Sequence, residues 1–322
     1  MSILIAFLSL VIEFAVGYPA WLFGAIGHPV TWFGRLISFL DRRLNRDTDS
    51  DTLRRRRGVH ALLIIVLVPA AIAFAVETML SGIPAGLILT AILATSLLSQ
   101  KSLAEHVEAV ADGLDNGGLD IGRVAVSRIV GRDPEKLDRA GVCRAAIESL
   151  AENFSDGVVA PVFWIGVGGL AGGVAYKAAN TADSMIGHRT PRHEAFGRAA
   201  ARFDDLINLP ASRLTALLIV GASFFVKGAD AGNAWRTVQR DAKKHRSPNA
   251  GWPEAAMAGA LGLELAGPRS YDGVMVDDAF MGEGGRRGVE SVDIRRALKL
   301  YRTADLLLIA LFGLLSVIVI AA

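Results

Sequence analysis

The chain has 322 residues, 52% of them hydrophobic and 20% charged, with a mean hydropathy of +0.40. Ordinary soluble domains carry fewer apolar and more charged residues, so the composition argues against a soluble enzyme and for an integral membrane protein with sizeable aqueous segments. The net charge of +2 gives no case for nucleic acid, because the basic residues cluster beside apolar runs, where the positive-inside bias puts them. The single cysteine, Cys143, excludes an internal disulfide and a thiolate zinc cluster, and reads as a small buried residue.

Ser2 to Ile12 is apolar and predicts a membrane helix ending near Gly17-Tyr18-Pro19. It lacks the basic leader and the small-residue cleavage site of a standard signal peptide. The stretch that follows, with Trp21, Gly24, Gly27, His28-Pro29, Trp32 and Gly34, is too broken for a straight span and suits an interfacial or re-entrant segment. Glu13 and His28, each in apolar surroundings, read as polar anchors or as groups that reach a site, the second being favoured. Asp41 to Arg57 holds seven arginines and four aspartates and reads as a short cytoplasmic loop. Ala61 to Val76 and Thr78 to Gln100 form a helical hairpin turning near Ser81-Gly82-Ile83-Pro84.

Lys101 to Leu114 is amphipathic, with Leu103, Val107, Val110, Ala111 and Leu114 on one face, and Asn116-Gly117-Gly118 ends it. Ile121 to Val130 reads as a further helix. It ends at Gly131-Arg132-Asp133-Pro134, and Arg128 and Arg132 sit four apart on one face, suited to a phosphate or carboxylate, or to a solvated basic face. His106 reads as structural.

Arg144 to Asn208 carries the most chemistry. Polar residues flank Gly157 to Tyr176, twenty residues without a charge, six of them glycine. Glu148 and Glu152 share a helix face and repel unless a cation or a shared proton sits between them. Asn153 and Asp156 follow; Asp156 is an N-cap for the apolar segment or points into a site. After the run come Lys177, Asn180, Asp183, Ser184, His188 and Arg189, then Asp204, Asp205 and Asn208. A full span would put Glu148 and Lys177 on opposite sides of the membrane. The segment is therefore either re-entrant or part of a deep cavity where the polar residues converge.

Leu214 to Val226 is a short span bounded by Arg213 and Lys227, which can snorkel. Trp235 to Arg246 is basic. From Pro253, suited to a first helical position, to Gly262 runs a helix of small residues, which favours close helix packing over a flat ligand. Met281 to Gly288 is a Gly/Arg loop able to cradle an anion. Leu306 to Ala322 is the last apolar helix. Together these predict an all-α integral membrane protein, one membrane-embedded domain over 1–322. It has about four or five transmembrane helices, re-entrant or interfacial segments, and cytoplasmic helices. There is no phosphate-binding P-loop, HExxH or serine elbow. Gly166-x-Gly168-x-x-Ala171 matches a dinucleotide fingerprint only by letter, since no strand precedes it.

The runs VSRIVGRD, RAAIESLAENFSDGVVAPVFW, YKAANTADSMIGH, FGRAAARFDDLINLPASRLT and SPNAGWPEAAMAGALG, with the early HPVTWFGRLI, resemble the adenosylcobinamide-phosphate synthase family of cobalamin biosynthesis over nearly the whole chain. The resemblance implies a multi-pass inner-membrane enzyme with its site on the cytoplasmic side. It implies joining of the propionate carboxylate of adenosylcobyric acid to an aminopropanol, or its phosphate, through an amide bond made at the expense of ATP. Small-molecule substrates and membrane lipid are the partners so implied, with no nucleic acid, and a homo-oligomer is compatible with it. A sensory membrane protein of a distantly similar family and a magnesium-dependent transferase acting on a diphosphate lipid are the competing readings.

Amide formation assigns roles on chemical grounds. Asp183, Asp204 and Asp205 would hold Mg²⁺, with Asn180 and Asn208 as neutral oxygen ligands. Arg128, Arg132, Lys177 and Arg189 would hold phosphates, and Glu148 or Glu152 would be the base, with Asp156 and Lys177 beside it. Asn153, Ser184, His188, Asn249 and Glu254 complete the candidate substrate contacts.

Overall fold

The computed structural model describes residues 1–17, 29–130, 134–267, 269–271, 274–276 and 278–322. The expectations for Trp21, His28 and Arg132 lie outside the described residues. In chain order the helices are α1 Ser2–Val16, α2 Pro29–Leu44, α3 Asp51–Ser81, α4 Gly86–Thr95, α5 Gln100–Val126 and α6 Arg139–Phe154. They continue with α7 Ala160–Ile186, α8 Arg198–Ile207, α9 Leu209–Ala222, α10 Ala231–Asp241, α11 Gly251–Leu261 and α12 Ser291–Ala321. Two antiparallel ribbons complete the described elements: β1 Leu265–Ala266 pairs with β4 Phe280–Met281, and β2 Arg269–Tyr271 with β3 Val274–Val276. The helical class expected from the sequence holds, and the ribbons are a small addition to it.

Four helical stretches are long and apolar enough to cross a membrane, and α8 with α9 makes a fifth if the pair is one span. Their outward faces are apolar, with Leu67, Ile72 and Phe74 exposed on α3 and Leu314, Val317 and Ile320 on α12. Lipid is the solvent that tolerates such faces.

The chain falls into two compact units interleaved along the sequence. One comprises Met1–Ser99, Ala160–Asn208 and Phe312–Ala322, the other Gln100–Val159 and Leu209–Leu311.

In the first unit α1 stops at Gly17, whose φ of 69° lies in the left-handed region. Pro29 opens α2, a position where its missing N–H costs nothing. Phe33, Ile37 and Leu40 pack from α2 against Ala61 and Ile65 of α3 and Ala178, Ala182 and Ile186 of α7. The arginine-rich stretch expected as a loop is instead two helix ends and a turn. Arg42 and Arg43 close α2, where cations suit the dipole, and Arg54 to Arg57 lie in the first two turns of α3, behind the Ser50 cap. Arg54 donates to Asn45 Oδ1 at 2.9 Å, Asn45 donates to the Arg192 carbonyl at 3.0 Å, and Arg192 pairs with Asp41 at 2.8 Å. Burial alone would raise the Asp41 carboxyl, but hydrogen bonds from Asn45 and Arg192 outweigh it and hold it below its ordinary value. The second arm of the α3 hairpin is shorter than the expected Thr78 to Gln100. It is the ten-residue α4 and a turn.

The apolar run turns back on itself. Gly168 and Gly169 leave helical geometry, Gly169 with φ 63°. A Cβ on Gly172 would strike the Trp164 carbonyl, and one on Gly173 the Ile165 side chain. Residues eight apart in a straight helix are separated by about 12 Å, so α7 is a helical hairpin rather than one straight helix. Gly168, one of the two glycines that matched a nucleotide fingerprint, lies in the bend.

The second unit repeats the device. Gly118, φ 78°, breaks α5 where Asn116-Gly117-Gly118 was expected to end it, and Gly113 and Gly122 pack against Ile121 and Leu114 across the bend. The polar face of α5 meets α12, with Arg295 on Asp112 (3.0 Å) and Asp115 (2.7 Å), and Arg302 on Glu108 (2.9 Å). The small-residue helix α11 is there for packing. A Cβ on Gly259 would lie 2.6 Å from Thr237 Oγ1 and 2.8 Å from Ala234 Cα of α10. Its helix begins at Gly251, two residues before Pro253, and ends at Gly262 in the left-handed conformation. Cys143 is buried, as read.

Candidate functional site

In the first unit the returning arm of α7 faces α8. Tyr176, Asn180 and Asp183 recur at helical spacing on one face of α7, and Asp204 and Asn208 stand four apart on and just after α8. The two faces join in a ladder. Tyr176 Oη donates to Asn208 Oδ1 at 2.9 Å, Asn208 Nδ2 donates to Asp204 Oδ2 at 2.9 Å, and Asn180 Nδ2 donates to Asp204 Oδ1 at 3.3 Å. Trp164, on the outgoing arm, donates to the Ile207 carbonyl at 3.1 Å and pins the hairpin to the end of α8.

Asp183 and Asp205 complete the cluster. The carboxylates of Asp183, Asp204 and Asp205 lie close enough to repel one another, with the His188 ring near Asp183. Among the described residues neither Asp183 nor Asp204 has an arginine or lysine in salt-bridge range. Gly187 is obligatory beside them, because a Cβ there would strike the Asp183 carboxylate.

This donor set was expected to hold Mg²⁺. Among the described residues no three His, Cys, Asp or Glu side chains form a ready metal cage. Magnesium takes one or two carboxylates and completes its shell with water and substrate phosphate, and the partly buried Asp183 and Asp204, with no arginine or lysine in salt-bridge range among the described residues, fit that mode. The two amides stand differently from expectation. Both turn N–H groups toward Asp204 and so orient its carboxylate, and the Asn208 oxygen is already engaged by Tyr176.

The other candidates on this unit separate. Lys177 is half-buried on α7. Ser184 Oγ donates to the Asn180 carbonyl of its own helix at 3.0 Å. His188 and Arg189 are exposed beyond the end of α7.

In the second unit Glu148 and Glu152 keep their i, i+4 spacing on α6 but not a common environment. Glu148 is 4% exposed and accepts the Ala266 N–H at 2.8 Å, whereas Glu152 is exposed. Ala266 has φ 57°, a conformation that non-glycine residues seldom adopt, and Glu148 holds it there. Asn153 is exposed and donates to the Ser149 carbonyl at 2.9 Å. Asp156 is not an N-cap, because a π-helical turn, Ser155–Val159, joins α6 to α7 without a new helix start. Arg128 lies in the turn after α5, which ends at Val126, so it is not on the helix expected to reach Val130. Asn249 Oδ1 accepts from Ser212 at 3.1 Å and from Arg213 at 2.9 Å, with the Arg213 guanidinium 4.4 Å from the Trp252 ring centroid. Glu254 is 1% exposed, with His245 Nε2 at 3.9 Å.

Three features escaped the sequence reading. Glu77 Oε2 accepts the Leu170 N–H at 2.8 Å and caps the returning arm of α7; its signal was a lone acid in a membrane-grade run. Tyr176 was visible as the i−4 neighbour of Asn180. Asp305, buried in α12, accepts Gln100 Nε2 on both oxygens at 3.0 and 2.9 Å, and Tyr301 donates to the Gln100 carbonyl at 2.8 Å. A lone acid again marked it.

Residues 6–301 match the family model described as CobD/Cbib protein. A cobalamin biosynthesis protein CobD from Sinorhizobium sp is 52% identical over 301 residues, covering 93% of each chain. Its namesake from Rhizobium meliloti (strain 1021) is 49% identical over 304 residues, covering 94% of this chain and 93% of that one. The Rhodobacter capsulatus CobD is 47% identical over 307 residues, covering 95% of both. No solved structure matches this chain.

Proposed function

Because this chain belongs to the CobD/CbiB family, we infer that it is a membrane-embedded adenosylcobinamide-phosphate synthase of cobalamin biosynthesis. The reaction joins the propionate carboxylate of adenosylcobyric acid to the amine of an aminopropanol, taken as its O-phosphate. A carboxylate is a poor electrophile. Phosphorylation by ATP makes it an acyl phosphate, the uncharged amine attacks the carbonyl carbon, and inorganic phosphate leaves as the amide forms. The site then needs charge neutralisation at the phosphates, a base for the ammonium and a fixed geometry.

The observation that carries the site assignment is the cluster Asp183, Asp204 and Asp205, partly buried and, among the described residues, with no arginine or lysine in salt-bridge range of Asp183 or Asp204. Asp204, oriented by Asn180 and Asn208, and its two neighbours would hold a magnesium ion that neutralises nucleotide phosphate charge. Lys177 and Arg189, from the same stretch of chain, suit the phosphates. Glu152 is the better candidate base of the glutamate pair, because it is exposed while Glu148 is committed to the Ala266 amide. The enzyme is multi-pass; its placement in the inner membrane, with the site toward the cytoplasm, follows the arginine density of 42–57. What sets the synthase above the sensory and lipid-transferase readings is the family match over residues 6–301.

The test is reconstitution. The detergent-solubilised protein is given adenosylcobyric acid, ATP, Mg²⁺ and either aminopropanol or its phosphate, and corrinoids are read by mass spectrometry. An ATP-dependent amide product is expected. Its absence with both amines, from protein that remains folded, overturns the reading.

A further inference from the structure

In the second unit a cavity of about 260 Å³ lies between α10, the end of α11 and the loop 282–286. It is too small for a corrinoid or a nucleotide, since pockets for drug-sized ligands run to roughly 300–1,000 Å³. It lies outside the membrane-crossing stretches. Its polar wall comprises Asn233, Thr237, Arg240, Glu283 and Arg286, with glycine backbone at 262, 284 and 285. Gly262 and Gly284 have φ 68° and 87°, and a Cβ on either would meet nothing within 4 Å, so both leave backbone bare.

The two arginines are held in place from behind. Arg240 donates through Nε and Nη2 to Asp241 at 2.9 and 2.6 Å, and Arg286 through Nη2 to both oxygens of Asp293 at 2.6 and 2.7 Å. Among the described residues Arg240 Nη1 and Arg286 Nε have no hydrogen-bond acceptor. Lys244 on Asp241, Arg296 on Asp293 and Arg287 on Glu264 extend the network. Five cations therefore stand against four carboxylates, the fourth being Glu283, which reaches Lys244 at 3.6 Å. Asp241, Glu264 and Asp293 are buried behind the wall, and their charge is spent on these partners and on the Gly282 and Gly284 amides. Two guanidinium groups fixed in direction line the cavity, against one wall carboxylate, Glu283, which Lys244 partly neutralises; paired guanidinium edges are the arrangement that recognises a phosphoryl group.

We propose that this cavity binds a small phosphomonoester, recognised at its phosphoryl oxygens by Arg240 and Arg286. The amine substrate, as its O-phosphate, belongs to this class; that link rests on the synthase reading above, while the site itself does not.

The probe is inorganic phosphate titrated into the full-length protein in detergent, followed by calorimetry. Saturable binding is expected in the wild type, weakened about tenfold to a hundredfold by Arg240→Gln, the scale of a lost charge-assisted hydrogen bond. Should Arg240→Gln fail to fold, Asn233→Asp, which sets a carboxylate on the wall, is expected to weaken phosphate likewise. Absence of saturable binding in the wild type, or binding unchanged in a folded variant, overturns the site. In the reconstituted reaction the KM for aminopropanol phosphate should rise in the variant while that for aminopropanol stays. Phosphate binding that responds to the variants, without amide product, sinks the synthase reading and leaves the cavity standing. Amide product from a wild type that does not bind phosphate sinks the cavity and leaves the synthase standing.

Discussion

Glu77 and Leu170 meet inside the first unit, the glutamate Oε2 accepting the leucine N–H at 2.8 Å. Leu170 opens the returning arm of a helix that reverses at Gly168-Gly169, so its N–H has no intrahelical acceptor. An anion at that end also meets the positive pole of the helix. The carboxylate sits where a Cβ on Gly169 would be, 2.5 Å from it. One acid therefore fixes the bend, and with it the arm that carries Lys177, Asn180 and Asp183.

Removing that acceptor should loosen the hairpin. Glu77→Ala is expected to destabilise by about 1–2 kcal/mol, the scale of a lost helix cap, and Glu77→Gln by less, because its amide oxygen still accepts. Gly169→Ala should do more damage than either, since it meets both a left-handed backbone and the carboxylate. Thermal unfolding in detergent ranks the three variants. Wild-type stability in all of them would show that the bend needs no latch.

Asp204→Asn should lower turnover about a hundredfold or more, the scale of losing electrostatic stabilisation at a phosphoryl group, and raise the Mg²⁺ concentration needed for half-maximal rate. Asp183→Asn should act in the same direction. Turnover measured against Mg²⁺, beside protein abundance, decides it. Normal rates and a normal Mg²⁺ response in both variants would make the cluster a structural cap.

The glutamate pair should divide by role. Glu152→Gln is expected to cost about a hundredfold in single-turnover amide formation while nucleotide still binds, the loss typical of a general base. Glu148→Ala leaves the Ala266 N–H buried and unpaired, which costs about 1–3 kcal/mol and should appear first as lost stability. If Glu152→Gln turns over normally, the proton is taken by another group.

Acid should loosen the second unit through Asp241. Burial alone would raise this carboxyl, yet hydrogen bonds from Arg240, Lys244 and the Gly282 amide outweigh it and hold it down to about 2, against an ordinary 3.8. A carboxyl depressed by folding contributes stability that is whole above its unfolded value and fades as pH falls toward its folded one. Stability should therefore drop between about pH 4 and pH 2, and Asp241→Asn, less stable at neutral pH, should flatten that drop. Unfolding curves across this range would show it; the same slope in both proteins would place the titration elsewhere.

Single cysteines placed between 42 and 57, and between 101 and 150, should be inaccessible to a membrane-impermeant thiol reagent added outside intact cells. Labelling of either segment from outside would reverse the assigned orientation.

Much of this was legible in the residues alone. Apolar run length specifies helices that lipid can solvate, because an unpaired backbone is too costly there. Asn116-Gly117-Gly118 announced a helix end, and six glycines in an uncharged run announced something other than a straight span. The spacing of Asn180 with Asp183, and of Asp204 with Asn208, put the acids and amides on common faces. What spacing cannot carry is the partner across the fold. Glu148 and Glu152 look equivalent along α6 and differ only because Ala266, 118 residues away, brings its N–H to one of them. Asn180 and Asn208 read as oxygen ligands until Tyr176 and Asp204 are seen to set which end of each amide is used. The Gly/Arg loop read as an anion cradle, but tertiary packing gives its Gly282 and Gly284 amides to Asp241 and Glu264 and leaves two arginine edges to face the cavity. Local pattern decides which groups can stand together on one element; which of them remain available for chemistry depends on hydrogen bonds closed between distant segments, and those exist only once the chain has folded.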